Sequence, residues 1–178
     1  NSLATRRGPR GDRDGARAEI DRALAADPDW SVGLGNRATL LLEMGRREEA
    51  RDAFARWVAV EPLNVEAHLG HGLALLATQD PHGAMAALRE ALERDPANLR
   101  AHVALGETLL RSGDLAGAQE HLEAATHSGE RVARAWNSLG EVYLRRGMRP
   151  EAAGAFRQSL RIDGNQPEIR RRLAASGG

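Results

Sequence analysis

Small and apolar residues return along this chain at one fixed interval. Ala16, Ala50, Ala84, Ala118 and Ala152 are evenly spaced, and Ala38, Gly72, Gly106 and Gly140 keep the same spacing. Leu42, Leu76, Leu110 and Leu144 make a third column. Ile20, Phe54, Leu88, Leu122 and Phe156 make a fourth, and Pro28, Pro62 and Pro96 a fifth. Five columns on one period are the mark of stacked units, none of which buries enough apolar surface to fold alone. The pattern also predicts where the elements stop. Gly45, Gly113 and Gly147 stand where a first helix must end and turn, because glycine accepts a positive φ. Asp80 before Pro81 reads as an N-cap with proline at the first helical position, and Asp114 is a similar cap. Asp27-Pro28, Glu61-Pro62 and Asp95-Pro96 end second helices, since proline restricts the residue before it.

Each column has a packing reason. The Ala38/Gly72/Gly106/Gly140 positions let a first helix approach its second helix closely, and the Ala50 column does the same from the other side. The larger Phe54, Leu88, Leu122 and Phe156 fill the gap, as ridges fill grooves. Three positions depart from the pattern. Gln79 stands in place of the turn glycine, so that turn is expected to close differently. Gly129-Glu130 replaces the acid-proline exit after His127-Ser128, leaving the helix boundaries near 127–132 the hardest to place. Trp57 falls in a column that otherwise holds Ala23, Ala91, Ala125 and Ser159. It is expected to pack beside a small neighbour such as Gly70 or Gly72.

Composition narrows the function. The 25 basic and 25 acidic residues cancel to a net charge of zero, against the basic surplus of a general nucleic-acid binder. Aromatics at 3% cannot fill one large core, so the core is built from small aliphatics or is divided. The absence of cysteine removes disulfides, thiol nucleophiles and Cys-ligated zinc. No apolar run approaches the ~18 residues of a membrane span, so no membrane insertion is expected. Positions 1–17 set Arg6, Arg7, Arg10, Arg13 and Arg17 among Gly8, Pro9, Gly11 and Gly15, the composition of a linker or a broken first element. The chain opens Asn1-Ser2 with no apolar signal-peptide core after it. It is therefore expected to be part of a larger protein; the lack of cysteine leaves both oxidising and reducing compartments open, with the cytoplasm favoured over the periplasm.

The period and residue types resemble the tetratricopeptide repeat, a helix–turn–helix unit of about 34 residues. The run A-W-N-S-L-G-E-V-Y-L-R-R-G-M-R-P-E-A carries the resemblance best, with Trp136, Leu139, Gly140, Tyr143, Gly147, Ala152 and Phe156 at the family's signature sites. In that frame repeats span 31–64, 65–98, 99–132 and 133–166. Residues 11–30 are the second helix of a partial repeat, 1–10 a linker or disordered start, and 167–178 a capping helix and tail. The resemblance implies an all-α, right-handed superhelical solenoid. Its function would be non-catalytic: a protein–protein interaction module that binds a peptide or helix in a concave groove lined by first helices. Two alternatives stand beside it: a self-assembling, homo-oligomeric scaffold, and a regulatory or substrate-presenting arm of a neighbouring enzyme domain.

The family's groove positions carry over as Asn36, Thr39, Leu42 and Glu43 in the first repeat and Glu66, Leu69, Leu73, Leu76 and Ala77 in the second. The third supplies Arg100, Val103, Glu107, Leu110 and Arg111, and the fourth Arg134, Asn137, Ser138, Glu141, Leu144 and Arg145. Leu69, Leu73, Leu76, Val103 and Leu110 would form an apolar centre. Arg100, Arg111, Arg134 and Arg145 would form a cationic end interleaved with Glu107 and Glu141, suited to an amphipathic, acidic or mixed-charge segment. The competing reading is that the leucine column packs between first helices and the Arg–Glu pairs bridge neighbouring repeats. The family's clamp for a C-terminal carboxylate is not reproduced. Its positions hold Gly35, Thr39, Gly70, Arg100 and Ala104, or Leu69, Leu73, Ala104, Arg134 and Ser138, with one basic residue in each set.

Other constellations look chemical. His68 and His71 share a helix face and His102 follows one period after His68, a spacing from which imidazoles can reach a metal. These positions pack between helices, so partly buried histidines and no metal are expected. His82, His121 and His127 have no evident partners in the pattern. Arg10-Gly11-Asp12 spells an adhesion tripeptide but falls where a turn is expected. Arg170-Arg171-Arg172 complements the dipole of a final helix. No phosphate loop, nucleophile elbow or carboxylate pair appears, and no enzyme activity or cofactor is expected.

Overall fold

A computed structural model of the chain describes residues 10–127 and 132–177. Ten helices and no strand occur among the described residues. They are α1 (Arg10–Ala26), α2 (Ser31–Glu43), α3 (Arg47–Val60), α4 (Val65–Ala77) and α5 (Pro81–Arg94). α6 (Leu99–Ser112), α7 (Leu115–His127), α8 (Ala133–Arg145), α9 (Arg149–Ile162) and α10 (Pro167–Ala175) follow. First helices begin at Ser31, Val65, Leu99 and Ala133, and second helices at Arg47, Pro81, Leu115 and Arg149, each one period after the last. Two compact units result, Asn1–Asp95 and Pro96–Gly178.

The turns inside the helical pairs are four copies of one device. A residue just past the helix end donates its N–H to a carbonyl three positions back, and the next residue reaches five back. Gly45 bonds Leu42 and Arg46 bonds Leu41; Gly113 bonds Leu110 and Asp114 bonds Leu109; Gly147 bonds Leu144 and Met148 bonds Tyr143. Such a C-terminal motif needs a left-handed residue, and the three glycines sit at φ 76°, 89° and 76°. The fourth turn corrects an expectation. Gln79 closes it in the same way, at φ 64°, bonding Leu76 while Asp80 bonds Leu75. The left-handed region is costly for a side chain but not closed to it.

Side-chain caps start several helices. Asp80 accepts from the Gly83 N–H at 2.9 Å and Asp114 from Gly117 at 2.9 Å. Asn64 and Asn98, one period apart, cap α4 and α6 through the Ala67 and Ala101 N–H groups. The acid-proline exits fall where expected, with α1, α3 and α5 ending at Ala26, Val60 and Arg94. The Gly129-Glu130 junction and residues 1–9 lie outside the described residues. Arg10-Gly11-Asp12 is not a turn, because α1 already begins at Arg10.

Within each unit the core is thin and built from the repeated columns. In the first, Ala38, Leu41, Ala50, Ala53, Phe54 and Ala74 cluster, with Leu42 and Trp57 packed against them. In the second, Ala152, Phe156 and Ile169 gather Tyr143, Leu144, Leu160 and Leu173, which seats α10 on α9. Burying each large side chain of this kind contributes about 1.5–3 kcal/mol. The glycine column is a close-approach device. A Cβ at Gly72 would lie 2.8 Å from Leu88 Cγ, and one at Gly106 would lie 2.7 Å from Leu122 Cγ. At Gly140 a Cβ would strike the Phe156 ring. The first repeat uses a different fit, where the Phe54 ring covers Gly70 in the next helix pair.

Trp57 is a packing residue, although its pocket is not at Gly70 or Gly72. Its ring fills the space over Gly35, where a Cβ would meet it at 2.8 Å. The indole N–H donates to Ser31 Oγ at 2.9 Å and to Glu61 at 3.3 Å. Hydrogen bonds from Ser31 first, and then from Asn64, hold the Glu61 carboxyl below its ordinary range.

Candidate functional site

Four first helices carry the residues the sequence singles out, and one register position separates them. That position holds Thr39 on α2, Leu73 on α4, Glu107 on α6 and Glu141 on α8. In the second unit both glutamates are acceptors for the following helix of the stack. Arg134 forks onto Glu107, its Nε 2.5 Å from Oε1 and its Nη2 on Oε2, and Ser138 Oγ donates to Oε1 at 3.2 Å. Glu141 repeats the arrangement one period later, taking Arg172 at 2.5 Å and Arg145 at 2.9 Å. Arg172 stands one period after Ser138, so the same acceptor is used from the same position twice. The Glu107 carboxylate pushes the Arg134 guanidinium above its ordinary pKa.

Asn137 and Arg145 join this network. Asn137 Nδ2 donates to Gln166 Oε1 at 2.7 Å, and Gln166 in turn donates to Ser159 Oγ. Arg145 reaches back to the Leu110 carbonyl at 3.2 Å. Arg111 is exposed beside Thr108, and Arg100 is exposed near the start of α6. Of the four candidate cations, Arg134 is held in a cross-repeat ion pair and Arg145 in one within its own helix, while Arg100 and Arg111 are exposed.

The candidate apolar centre divides in a similar way. Leu69 is 0% exposed, and Val103 and Leu110 are each 8% exposed, so these three side chains are core and offer no surface. Leu73 and Leu76 are half-buried, and Leu76 flanks the Leu75, Ala84 and Ala87 cluster. In the first unit Asn36 is half-buried while Thr39 and Glu66 are exposed. The large exposed hydrophobics Trp30, Val32 and Leu63 all lie in this unit.

The histidines resolve individually. His68 Nε2 donates to the Pro62 carbonyl at 2.8 Å, and His102 Nε2 to the Pro96 carbonyl at 3.0 Å, the same bond one period apart. These ring nitrogens secure the proline exits. Burial pulls the pKa of His71 below its ordinary value, with the charges of His68 and Arg51 acting the same way and Asp80 opposing them. His121 does have a partner: its Nδ1 lies 3.1 Å from Nδ1 of His102. The repeat columns could not reveal that contact, because it joins two different columns on two different helices. Among the described residues no helix is long and apolar enough to cross a membrane.

The tetratricopeptide-repeat family model matches residues 36–98 and 103–167, most of the chain. The chain belongs to the tetratricopeptide-repeat family. Solved structures of the family share the fold. MamA is 25% identical, with a TM-score of 0.81 over 86% of this chain and 90% of its own. YrrB, described as having an unusual peptide-binding site, is 22% identical, with a TM-score of 0.77 over 94% of this chain and 85% of its own. The thermophilic protein TTC0263 of Thermus thermophilus is 22% identical, with a TM-score of 0.70 over 93% of this chain and 91% of its own. No curated protein sequence matches the chain. The fold class is thus the all-α tetratricopeptide solenoid, and the family assignment makes the chain a protein–protein interaction module.

Proposed function

We propose that this tetratricopeptide domain captures a peptide or helix on the first-helix face of α2 and α4, without catalysing a reaction. The observation that carries the reading is the register position described above. Thr39 and Leu73 bring no charge to that position, while the equivalent Glu107 and Glu141 spend their charge within the second unit. Half-buried Leu73 and Leu76 supply the apolar contact, and Asn36 and Thr39 supply hydrogen-bonding groups beside it. An amphipathic helix or an extended segment with apolar anchors meets such a face in the recurrent ways this fold permits. A peptide-binding site on the same fold in YrrB supports that class of partner.

A pull-down followed by mass spectrometry identifies the partner, and substitutions then locate the contact. Leu73→Glu is expected to weaken capture at least tenfold, as loss of a central apolar anchor does, at unchanged helicity. Thr39→Arg tests the same uncharged position from α2. Capture that survives both changes with undiminished affinity overturns the reading.

A further inference from the structure

The His102–His121 pair has a geometry that hydrogen bonding alone does not require. The two Nδ1 atoms face each other at 3.1 Å across α6 and α7, with ring centroids 5.3 Å apart and planes tilted by 39°. A divalent ion about 2.0–2.1 Å from each nitrogen would subtend an angle of about 98° there, between the square and tetrahedral values. The outer support is present as well. The Nε2–H of His102 donates to the Pro96 carbonyl, which fixes the tautomer and leaves the Nδ1 lone pair directed at His121. A metal-ligating histidine normally makes this bond to a carbonyl or carboxylate with its other nitrogen.

We propose that His102 and His121 form a two-imidazole chelate for a divalent transition-metal ion of the zinc or nickel class. Imidazole nitrogen suits those ions, and magnesium and calcium prefer oxygen donors. Among the described residues no third histidine or carboxylate completes the group. Without metal, the same contact is a hydrogen bond from the Nδ1–H of His121 to the Nδ1 lone pair of His102. Metal entry moves that proton to Nε2 of His121 and leaves both Nδ1 lone pairs on the ion. The site lies within one helical pair and does not depend on the peptide-binding proposal.

The test is calorimetric titration of the full chain with zinc chloride near neutral pH, repeated on His102→Ala and His121→Ala. Wild type is expected to take up one Zn²⁺ per chain, and each variant to bind it roughly 10–100-fold more weakly, the loss typical of a damaged site. Zinc should also raise the melting temperature of wild type and not of the variants. His82→Ala and His127→Ala are controls and should bind as wild type does. Imidazole ¹⁵N resonances of the unmutated protein report coordination through Nδ1 even if a variant folds poorly. Absence of one-to-one uptake, or equal affinity in His121→Ala, overturns the proposal.

Discussion

The two units are made from one repeat, yet their first helices differ in what they do with their polar groups. In the second unit a glutamate at the shared register position collects side chains from the next helix on that face, twice in succession. In the first unit threonine and leucine occupy that position and bring no charge to it. Helix packing is nearly unchanged, because the glycine, alanine and phenylalanine columns lie on the buried sides of the helical pairs. Surface chemistry can therefore vary freely over a constant core.

The shared core is the first part of the comparison to break. Phe54 and Phe156 occupy one column in different units, at 3% and 0% exposure. Phe156→Ala and Phe54→Ala should each cost about 3–5 kcal/mol, measured by urea unfolding with circular dichroism. A far smaller cost at either site, below the range of large-to-small core changes, would show that its unit does not rest on the column.

The turns give a smaller effect of opposite sign. Gln79 in the first unit adopts the conformation that Gly113 and Gly147 adopt in the second. Gln79→Gly should stabilise by about 1 kcal/mol and Gly113→Ala should destabilise by a similar amount, since a left-handed residue with a Cβ costs roughly 1–2 kcal/mol. Thermal melts of both variants check the pair. A destabilising Gln79→Gly would mean the glutamine side chain contributes more than its backbone costs.

These residues also show how far sequence reasoning reached. Helix ends, acid-proline exits and the small-residue columns were legible because each obeys a local steric rule that recurs with the period. Gln79 misled because a glycine preference expresses a cost, and a stack of packed neighbours can meet that cost. Leu69 misled because a family's groove position says where a residue points on average. The actual burial depends on which neighbours are large, and Leu69 is fully covered. Trp57 was legible as packing, but its pocket over Gly35 was not, since a one-off substitution has no column to follow. The His102–His121 and Glu107–Arg134 contacts join different columns, which a single period does not pair.

The ion pairs themselves offer a finer test. The Arg134 side chain is 73% exposed and that of Glu107 is 17% exposed. A double-mutant cycle with Arg134→Ala and Glu107→Ala should give a coupling of under about 1 kcal/mol that falls with added salt, as exposed pairs do. A large, salt-independent coupling would instead make the network structural, and would weaken the contrast drawn between the units.

The last test separates the units by pH. His71, in the first unit, has its folded-state pKa below the ordinary value, chiefly through burial. As pH falls the unfolded chain therefore takes up the proton first, so this contribution to stability is full above about 6.5 and drains as pH drops below that value. Tyr143, in the second unit, has its pKa pushed up to about 12 by burial, with support from its hydrogen bond to Glu123 at 2.8 Å. Here the unfolded chain loses its proton first, so stability drains as pH rises from about 10 towards the folded value. His71→Gln should flatten the acid limb of melting temperature against pH and leave the alkaline limb intact; Tyr143→Phe should do the reverse. Tyr143 is the only tyrosine in the chain, so its phenolate absorbance reads its titration directly. A midpoint near the ordinary tyrosine value would remove the alkaline half of the contrast, and the acid half would stand on His71 alone.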